Sequence, residues 1–328
     1  MNTGEQLAPV LAAGGPGVAR GLRLAEARLA EIAGAHGEVL GEYGGGTLAA
    51  GGKRLRPLLV FLCAGQAEPV ESVVAAAAAV ELLHMATLVH DDVLDRATLR
   101  RGYPTVFATA GRDAATATGD LLFSRAFAEL AATGSAPAVR ALSASSTALA
   151  RGELMQRDDA WSADVTAARY RERCGLKTGS LFAASCRLGA ELGELGADAA
   201  NTLAAFGDRI GVAFQILDDV LDVSGPVEET GKHRGTDLLD GTVTLPLIVA
   251  RERDPDLAAS DLRVVATTPR DAEALCDRIA ATGALEAARA EALADVAAAK
   301  RGLAEIELQP WQCEALDLVA DGVVARYA

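Results

Sequence analysis

One short acidic motif occurs twice. Leu-Val-His-Asp-Asp-Val-Leu-Asp supplies Asp91, Asp92 and Asp95, and Gln-Ile-Leu-Asp-Asp-Val-Leu-Asp supplies Asp218, Asp219 and Asp222. Both sit in apolar runs that read as helix, where residues four apart share a face, so Asp91 pairs with Asp95 and Asp218 with Asp222. Carboxylates left unpaired in an apolar helix are costly, and two such clusters call for something cationic between them. All-oxygen donors with no neighbouring cysteine favour Mg²⁺ over zinc. Mg²⁺ held by carboxylates commonly carries phosphate on its other side, which points to a helical enzyme acting on a diphosphate.

Positive charge for such a substrate comes in short clusters. Gly51-Gly52-Lys53-Arg54-Leu55-Arg56-Pro57 puts glycines before a helix start, where unsatisfied N–H groups and the helix dipole favour an anion; taken alone, a solvated basic turn would explain it. Glu81-Leu-Leu-His84 sets His84 two turns before Asp91 on nearly the same face. Arg100-Arg101-Gly102 follows the first acidic motif, and a consecutive arginine pair on a loop can reach two anions. Lys177-Thr178 lies in a later helix, Gln215 stands three residues before Asp218, and Lys232 belongs to the glycine-rich stretch 231–235.

Helices must carry these groups. Apolar periodicity predicts helices near 18–35, 54–63, 70–94, 113–132, 136–156, 167–191, 197–223, from 244, and at 271–280, 283–305 and 311–326. Loops fall at 44–52, 96–105 and 224–242, and no strand-like alternation stands out. Gly14-Gly15-Pro16-Gly17 closes what reads as a flexible lead, 1–17, and residues 18–328 read as one all-helical domain, because two half-motifs that share a site belong together. The expected fold is all-α, a single large bundle of roughly ten or more helices.

Composition narrows the classes. Half of the 328 residues are apolar and only 4% aromatic, with alanine and leucine dominant, which favours helix. A net charge of −14 argues against nonspecific nucleic-acid binding. Cys63, Cys174, Cys186, Cys276 and Cys313 have no metal or redox spacing and read as free thiols in a reducing, cytoplasmic setting. The first 17 residues lack a basic start followed by an apolar stretch, so no secretory leader is expected. The longest apolar tract, 70–89, is mostly alanine and is interrupted by Glu71, Glu81 and His84, against a membrane span.

Taken in order, these motifs resemble the trans-isoprenyl diphosphate synthases, the polyprenyl synthetase family, of the long-chain type. The likeness is carried by Gly-Gly-Lys-Arg-Leu-Arg-Pro, Glu-Leu-Leu-His, Asp-Asp-Val-Leu-Asp, Arg-Arg-Gly, Lys-Thr, Phe-Gln-Ile-Leu-Asp-Asp-Val-Leu-Asp, Gly-Lys, and Asp-Leu with Thr-Leu-Pro, over about Gly51 to Pro246. The resemblance implies helices around a central elongated active-site cavity. It implies Asp91, Asp95 and Asp218 holding Mg²⁺, about three ions per site, that clamp an allylic diphosphate (farnesyl or geranylgeranyl). Asp92, Asp219 and Asp222 would then be supporting ligands or bind metal-bound water. Arg100, Lys177 and Lys232 are implied on the allylic diphosphate, and Lys53, Arg56, His84 and Arg101 in a metal-free pocket for isopentenyl diphosphate. Thr178 and Gln215 are implied near the reacting carbons. A homodimer is the family habit, with a transient membrane contact for product release; no nucleic-acid partner is expected. Many members continue the last loop as Glu-Gly-Lys, where this chain reads Asp240-Gly241-Thr242.

The implied reaction ionises the allylic diphosphate, lets the isopentenyl double bond attack the carbocation, and returns the last proton to the departed diphosphate; no side-chain nucleophile is needed. The loop after Asp222 would close to exclude water. In the family a bulky aromatic four or five positions before the first Asp floors the product path. Here those positions are Thr87 and Ala86, and Leu83, Val80 and Ala79 are expected to continue the path. Back to Glu71 the helix spans about 30 Å, which favours a product longer than geranylgeranyl diphosphate, unless Phe123 or Phe127 caps it. The alternative is a geranylgeranyl or farnesyl diphosphate synthase. A class I terpene cyclase would have no use for the second diphosphate pocket. Partner subunits of heteromeric synthases lose the Asp motifs, and a di-iron bundle would need a second Glu-x-x-His.

Overall fold

The computed structural model describes residues 3–35, 54–100, 102–225 and 234–325. They form α-helices, with one two-residue hairpin. The contacts gather into two compact units: Met1–Ser146 with Leu181–Ala204 and Leu303–Val319, and Thr147–Ser180 with Ala205–Gly302 and Ala320–Ala328. Each unit is built from three separate stretches of chain, so no linker marks a boundary in the sequence, which had suggested one domain over 18–328.

The first unit begins with α1 (Thr3–Ala35). The glycine-proline run expected to end an unstructured lead lies inside this helix. Gly15, at φ 72 and ψ −177, takes the break, a conformation open to glycine at little cost, and helix resumes at once. Next come α2 (Leu55–Ala64) and α3 (Glu71–Leu94). Gly65, at φ 67, closes α2, and the buried Gln312 donates its Nε2 to the helix-end carbonyl of Leu62 at 2.9 Å. In α3 the run Ala75–Ala79 has the highest helix propensity, and residues 73–83 are all buried. α3 is long and apolar enough to cross a membrane, yet 78% of its most apolar window is buried in protein, as in the core helix of a globular fold.

Leu99–Arg100 and Tyr103–Pro104 pair antiparallel as β1 and β2, inside what reads as loop; two-residue strands are too short to show alternation. Then α4 (Val106–Ala131) starts at Thr105, whose side chain accepts from Ala108 N. α3 and α4 run antiparallel, since Arg28 bridges Glu71 at the start of α3 and Glu129 at the end of α4.

The remaining helices are α5 (Ala136–Asp159), α6 (Ala167–Cys174), α7 (Ser180–Leu192) and α8 (Ala197–Ser224). α6 passes into α7 through a π-turn, Gly175–Gly179. After residue 234 come α9 (Thr236–Leu239), α10 (Leu245–Arg253), α11 (Pro255–Ala258), α12 (Leu262–Val265), α13 (Pro269–Ala281), α14 (Ala284–Leu303) and α15 (Pro310–Ala325). Within the first unit α2 and α7 meet backbone to backbone. A Cβ on Gly189 would fall 2.3 Å from the Val60 carbonyl oxygen and one on Gly193 2.2 Å from that of Ala64.

Candidate active site

The first acidic motif occupies the last turn of α3. Asp92 is buried and takes the guanidinium of Arg100, Nε and Nη2 each at 2.8 Å from Oδ1. Asp91 is half-buried and Asp95 exposed. The turn before Asp91 is pinned from behind: the His90 ring lies where a Cβ on Gly119 of α4 would meet Nε2 at 2.3 Å, and Nε2 stands 3.2 Å from Asp120. Upstream, His84 and Thr87 are half-buried on the face that carries Asp91, and Thr87 Oγ1 donates to the His84 carbonyl at 2.7 Å. Ala79, Val80, Leu83 and Ala86 are 0% exposed. Of the five residues expected along the product path, only Thr87 is accessible; Ala79, Leu83 and Ala86 fall off the stripe defined by Asp91 and its i−4 and i−7 neighbours, and Val80, which lies on it, is covered by the packing around α3.

The basic cluster divides by role. Arg54, in the left-handed region at φ 47, pairs with Glu26 at 2.5 Å and with the buried Glu81 at 2.6 Å. It thereby compensates the carboxylate buried midway along α3. Arg56 stacks its guanidinium over Phe182, 4.7 Å from the ring centroid, a cation–π contact that fixes the plane of the charged group. Lys53, Arg101 and Lys232 lie outside the described residues.

The second motif sits in the second unit, near the end of α8. Asp219 is buried, and both its oxygens accept hydrogen bonds: Oδ2 from the Tyr170 hydroxyl at 2.6 Å and Oδ1 from Gln215 Nε2 at 2.8 Å. Gln215 Oε1 accepts from Thr178 Oγ1 at 2.8 Å. Burial pushes the Asp219 carboxyl up to about 7, against the pull of Tyr170 and Gln215, and burial, with Asp219 beside it, raises Tyr170 well above the usual phenol range. Asp218 and Asp222 are half-buried. Asp222 Oδ2 accepts the Asp237 backbone N–H at 3.2 Å, and its carbonyl accepts that of Gly235 at 2.9 Å, so it anchors the return of the chain after 233. Thr242 donates its backbone N–H to the Asp237 carbonyl at 2.8 Å.

Lys177 rides on the π-turn. Its Nζ lies 2.5 Å from Glu153 Oε2 and 3.2 Å from Gln156 Oε1, both on α5. Burial alone would raise Glu153, but Lys177 and Arg157 hold it below its ordinary value. Two glycines admit the turn: a Cβ on Gly152 would fall 2.8 Å from Lys177 N, and one on Gly179 would fall 2.4 Å from Asp208 Oδ1. The extra residue of a π-turn lets consecutive side chains part, Lys177 toward α5 and Thr178 toward α8. Arg173 and Asp159, both buried, pair at 3.2 Å, and Arg173 Nη2 donates to the Val243 carbonyl at 2.5 Å.

Tyr170, Glu153 and the Arg54–Glu81 pair were missed in the sequence. Tyr170 reaches Asp219 from 49 residues away, and no local spacing in the sequence signals that pairing.

The donors fit Mg²⁺. They are carboxylate oxygens on helices, and among the described residues no three Asp, Glu, His or Cys side chains gather into a cage. Mg²⁺ takes one or two carboxylates, water and substrate phosphate rather than a full protein cage.

An all-α fold with two aspartate-rich helix ends and cationic side chains nearby defines a class of diphosphate-handling helical enzymes. Residues 38–280 match the Polyprenyl synthetase family, and the chain belongs to that family. It is 41% identical over 258 residues to heptaprenyl diphosphate synthase component 2 of Geobacillus stearothermophilus, covering 78% of this chain and 80% of that protein. It is 40% identical over 210 residues to the geranylgeranyl diphosphate synthase of Methanosarcina mazei, covering 62% of this chain and 65% of that one. A crystal structure of polyprenyl synthase from Caulobacter crescentus, complexed with calcium and isoprenyl diphosphate, superposes with TM-score 0.88 at 33% identity, over 100% of this chain and 98% of that one.

Proposed function

We propose that the protein is a prenyltransferase that adds isopentenyl diphosphate head-to-tail to an allylic diphosphate, farnesyl or geranylgeranyl, and repeats the step to a trans-polyprenyl diphosphate longer than geranylgeranyl. The observation that carries this reading is the repeated Asp-Asp-Val-Leu-Asp, each copy with a buried, tethered middle carboxylate beside a less buried first one. Asp91, Asp95 and Asp218 would hold Mg²⁺, about three ions, which supplies electrostatic stabilisation of the leaving diphosphate. Lys177, Arg100 and Lys232 bind the allylic diphosphate. Lys53, Arg56, His84 and Arg101 bind isopentenyl diphosphate. Thr178 and Gln215 lie near the carbon that becomes electron-poor and stabilise its developing positive charge. The small Thr87 on the accessible face of α3, and a relative named for a heptaprenyl product, support a long chain. We place the enzyme in the cytoplasm, as a homodimer, with a transient membrane contact when the apolar product leaves.

The test is incubation of purified protein with Mg²⁺, labelled isopentenyl diphosphate and farnesyl diphosphate, followed by dephosphorylation and sizing of the products. A ladder beyond twenty carbons is expected. A single twenty-carbon product would keep the reaction and overturn the length. No incorporation would overturn the reading for this chain acting alone.

A further inference from the structure

The middle carboxylate of the second motif has each oxygen engaged by a protein donor, Tyr170 on Oδ2 and Gln215 on Oδ1. We propose that Tyr170 is a positioning residue, and that Asp219 serves chiefly to set the direction of the hydrogen-bond chain Tyr170–Asp219–Gln215–Thr178. A side-chain amide can present either its oxygen or its NH₂ to a given neighbour, and the partner decides which. As a carboxylate Asp219 can only accept, and it takes one proton donor at each oxygen, Tyr170 at Oδ2 and Gln215 at Oδ1. Gln215 is therefore obliged to aim its NH₂ at Asp219 and its oxygen at Thr178. Thr178 then gives its single hydroxyl proton to Gln215, and both of its lone pairs are left for whatever lies beyond.

On the prenyl-transfer reading, on which this inference rests, that is the polarity an allylic cation requires: oxygen lone pairs and no proton facing the developing charge. Tyr170 supplies the fixity. It is fully buried, its backbone N–H is held by the Thr166 carbonyl at 2.9 Å, and its hydroxyl pins the carboxylate plane so that Oδ1 stays on Gln215. A carboxylate pinned at both oxygens by protein donors, and buried, is poorly placed to take a metal as its main partner. The same residue type at the same motif position thus orients neighbours where a ligand would be expected.

The test is a double-mutant cycle between Tyr170→Phe and Thr178→Val, read as kcat and as KM for each diphosphate, with Tm recorded for each variant. Tyr170→Phe is expected to lower kcat roughly tenfold, the worth of one hydrogen bond to a charged group, with KM for isopentenyl diphosphate unchanged. In the Thr178→Val background the same substitution should have almost no further effect, because the hydroxyl whose direction it sets is gone. Asp219→Asn, isosteric but able to offer NH₂ to Gln215, runs the same cycle should Tyr170→Phe not fold, and it should show the same coupling. Equal losses with and without the Thr178 hydroxyl would overturn the inference while leaving an active wild type. A wild type that incorporates no isopentenyl diphosphate would overturn the prenyl-transfer reading and this inference with it.

Discussion

Thr87→Phe should shorten the product, and Ala86→Phe should not. The two positions are adjacent and both small, yet the structure separates them. Thr87 is half-buried on the stripe of α3 that also carries His84 and Asp91, whereas Ala86 is 0% exposed. Thr87 lies four residues, about 6 Å along the axis, before Asp91. An isoprene unit adds four carbon–carbon bonds, about 5 Å of length. A phenyl ring at 87 therefore leaves room for roughly one unit beyond the level of the acidic motif. The expected product of Thr87→Phe is about twenty carbons or fewer, with incorporation of the first isopentenyl unit retained. Ala86→Phe instead overpacks a filled core, at a cost of about 1–3 kcal/mol and a Tm lower by about 2–4 °C for each of those, with wild-type product length in the protein that folds. The assay is reverse-phase sizing of dephosphorylated product beside a thermal melt. An unchanged ladder from Thr87→Phe, or shortening by Ala86→Phe alone, would refute the assignment of the accessible face.

Three further outcomes follow from single residues. Arg54→Ala strands the buried Glu81 carboxylate and should cost about 3 kcal/mol, read by urea unfolding, with most of the loss recovered in Arg54→Ala/Glu81→Met; no recovery would mean that Arg54 acts through Glu26. Glu153 is held below its ordinary 4.5 by Lys177 and Arg157 in spite of burial, so its stabilisation is complete above pH 4.5 and is lost as pH falls through its lower folded value. Glu153→Gln should flatten that acid limb of a Tm-against-pH profile, and should lower KM for the allylic diphosphate by sparing Lys177 a competing carboxylate; a KM that rises would show that Glu153 orients Lys177 instead. Gly152→Ala puts a methyl 2.8 Å from the Lys177 backbone nitrogen, which a helix cannot yield, so KM for the allylic diphosphate should rise while that for isopentenyl diphosphate holds.

What was legible in the sequence was whatever obeys a local rule. Aspartates in an apolar helix demand a cation, so both motifs announced themselves, and the 3.6-residue period gave most helices to within a few residues. The misses are non-local or depend on glycine. The helix through residues 3–17 was hidden because Gly14-Gly15-Pro16-Gly17 looks like a breaker, whereas only Gly15 departs from helix. α4 begins at Val106 rather than near 113 because Gly111, at φ 82, is a kink and not an end. Periodicity counts positions at a constant 100° per residue, so it could not foresee the π-turn that parts Lys177 from Thr178.

The two acidic motifs look alike in sequence and are held differently in space. Asp92 is tied by Arg100, eight residues away on the following strand, and a guanidinium cancels its charge. Asp219 is tied by neutral donors, a phenol 49 residues away and an amide four residues away, which orient the carboxylate without neutralising it. Burial then acts unopposed by a hydrogen-bonded cation and carries Asp219 to about 7. One motif therefore has its middle charge compensated by Arg100, the arginine proposed for the allylic diphosphate. The other spends its middle carboxylate on fixing Gln215 and Thr178. Letters alone could not distinguish these uses, because the difference lies in which residue the fold brings to the second aspartate of each copy.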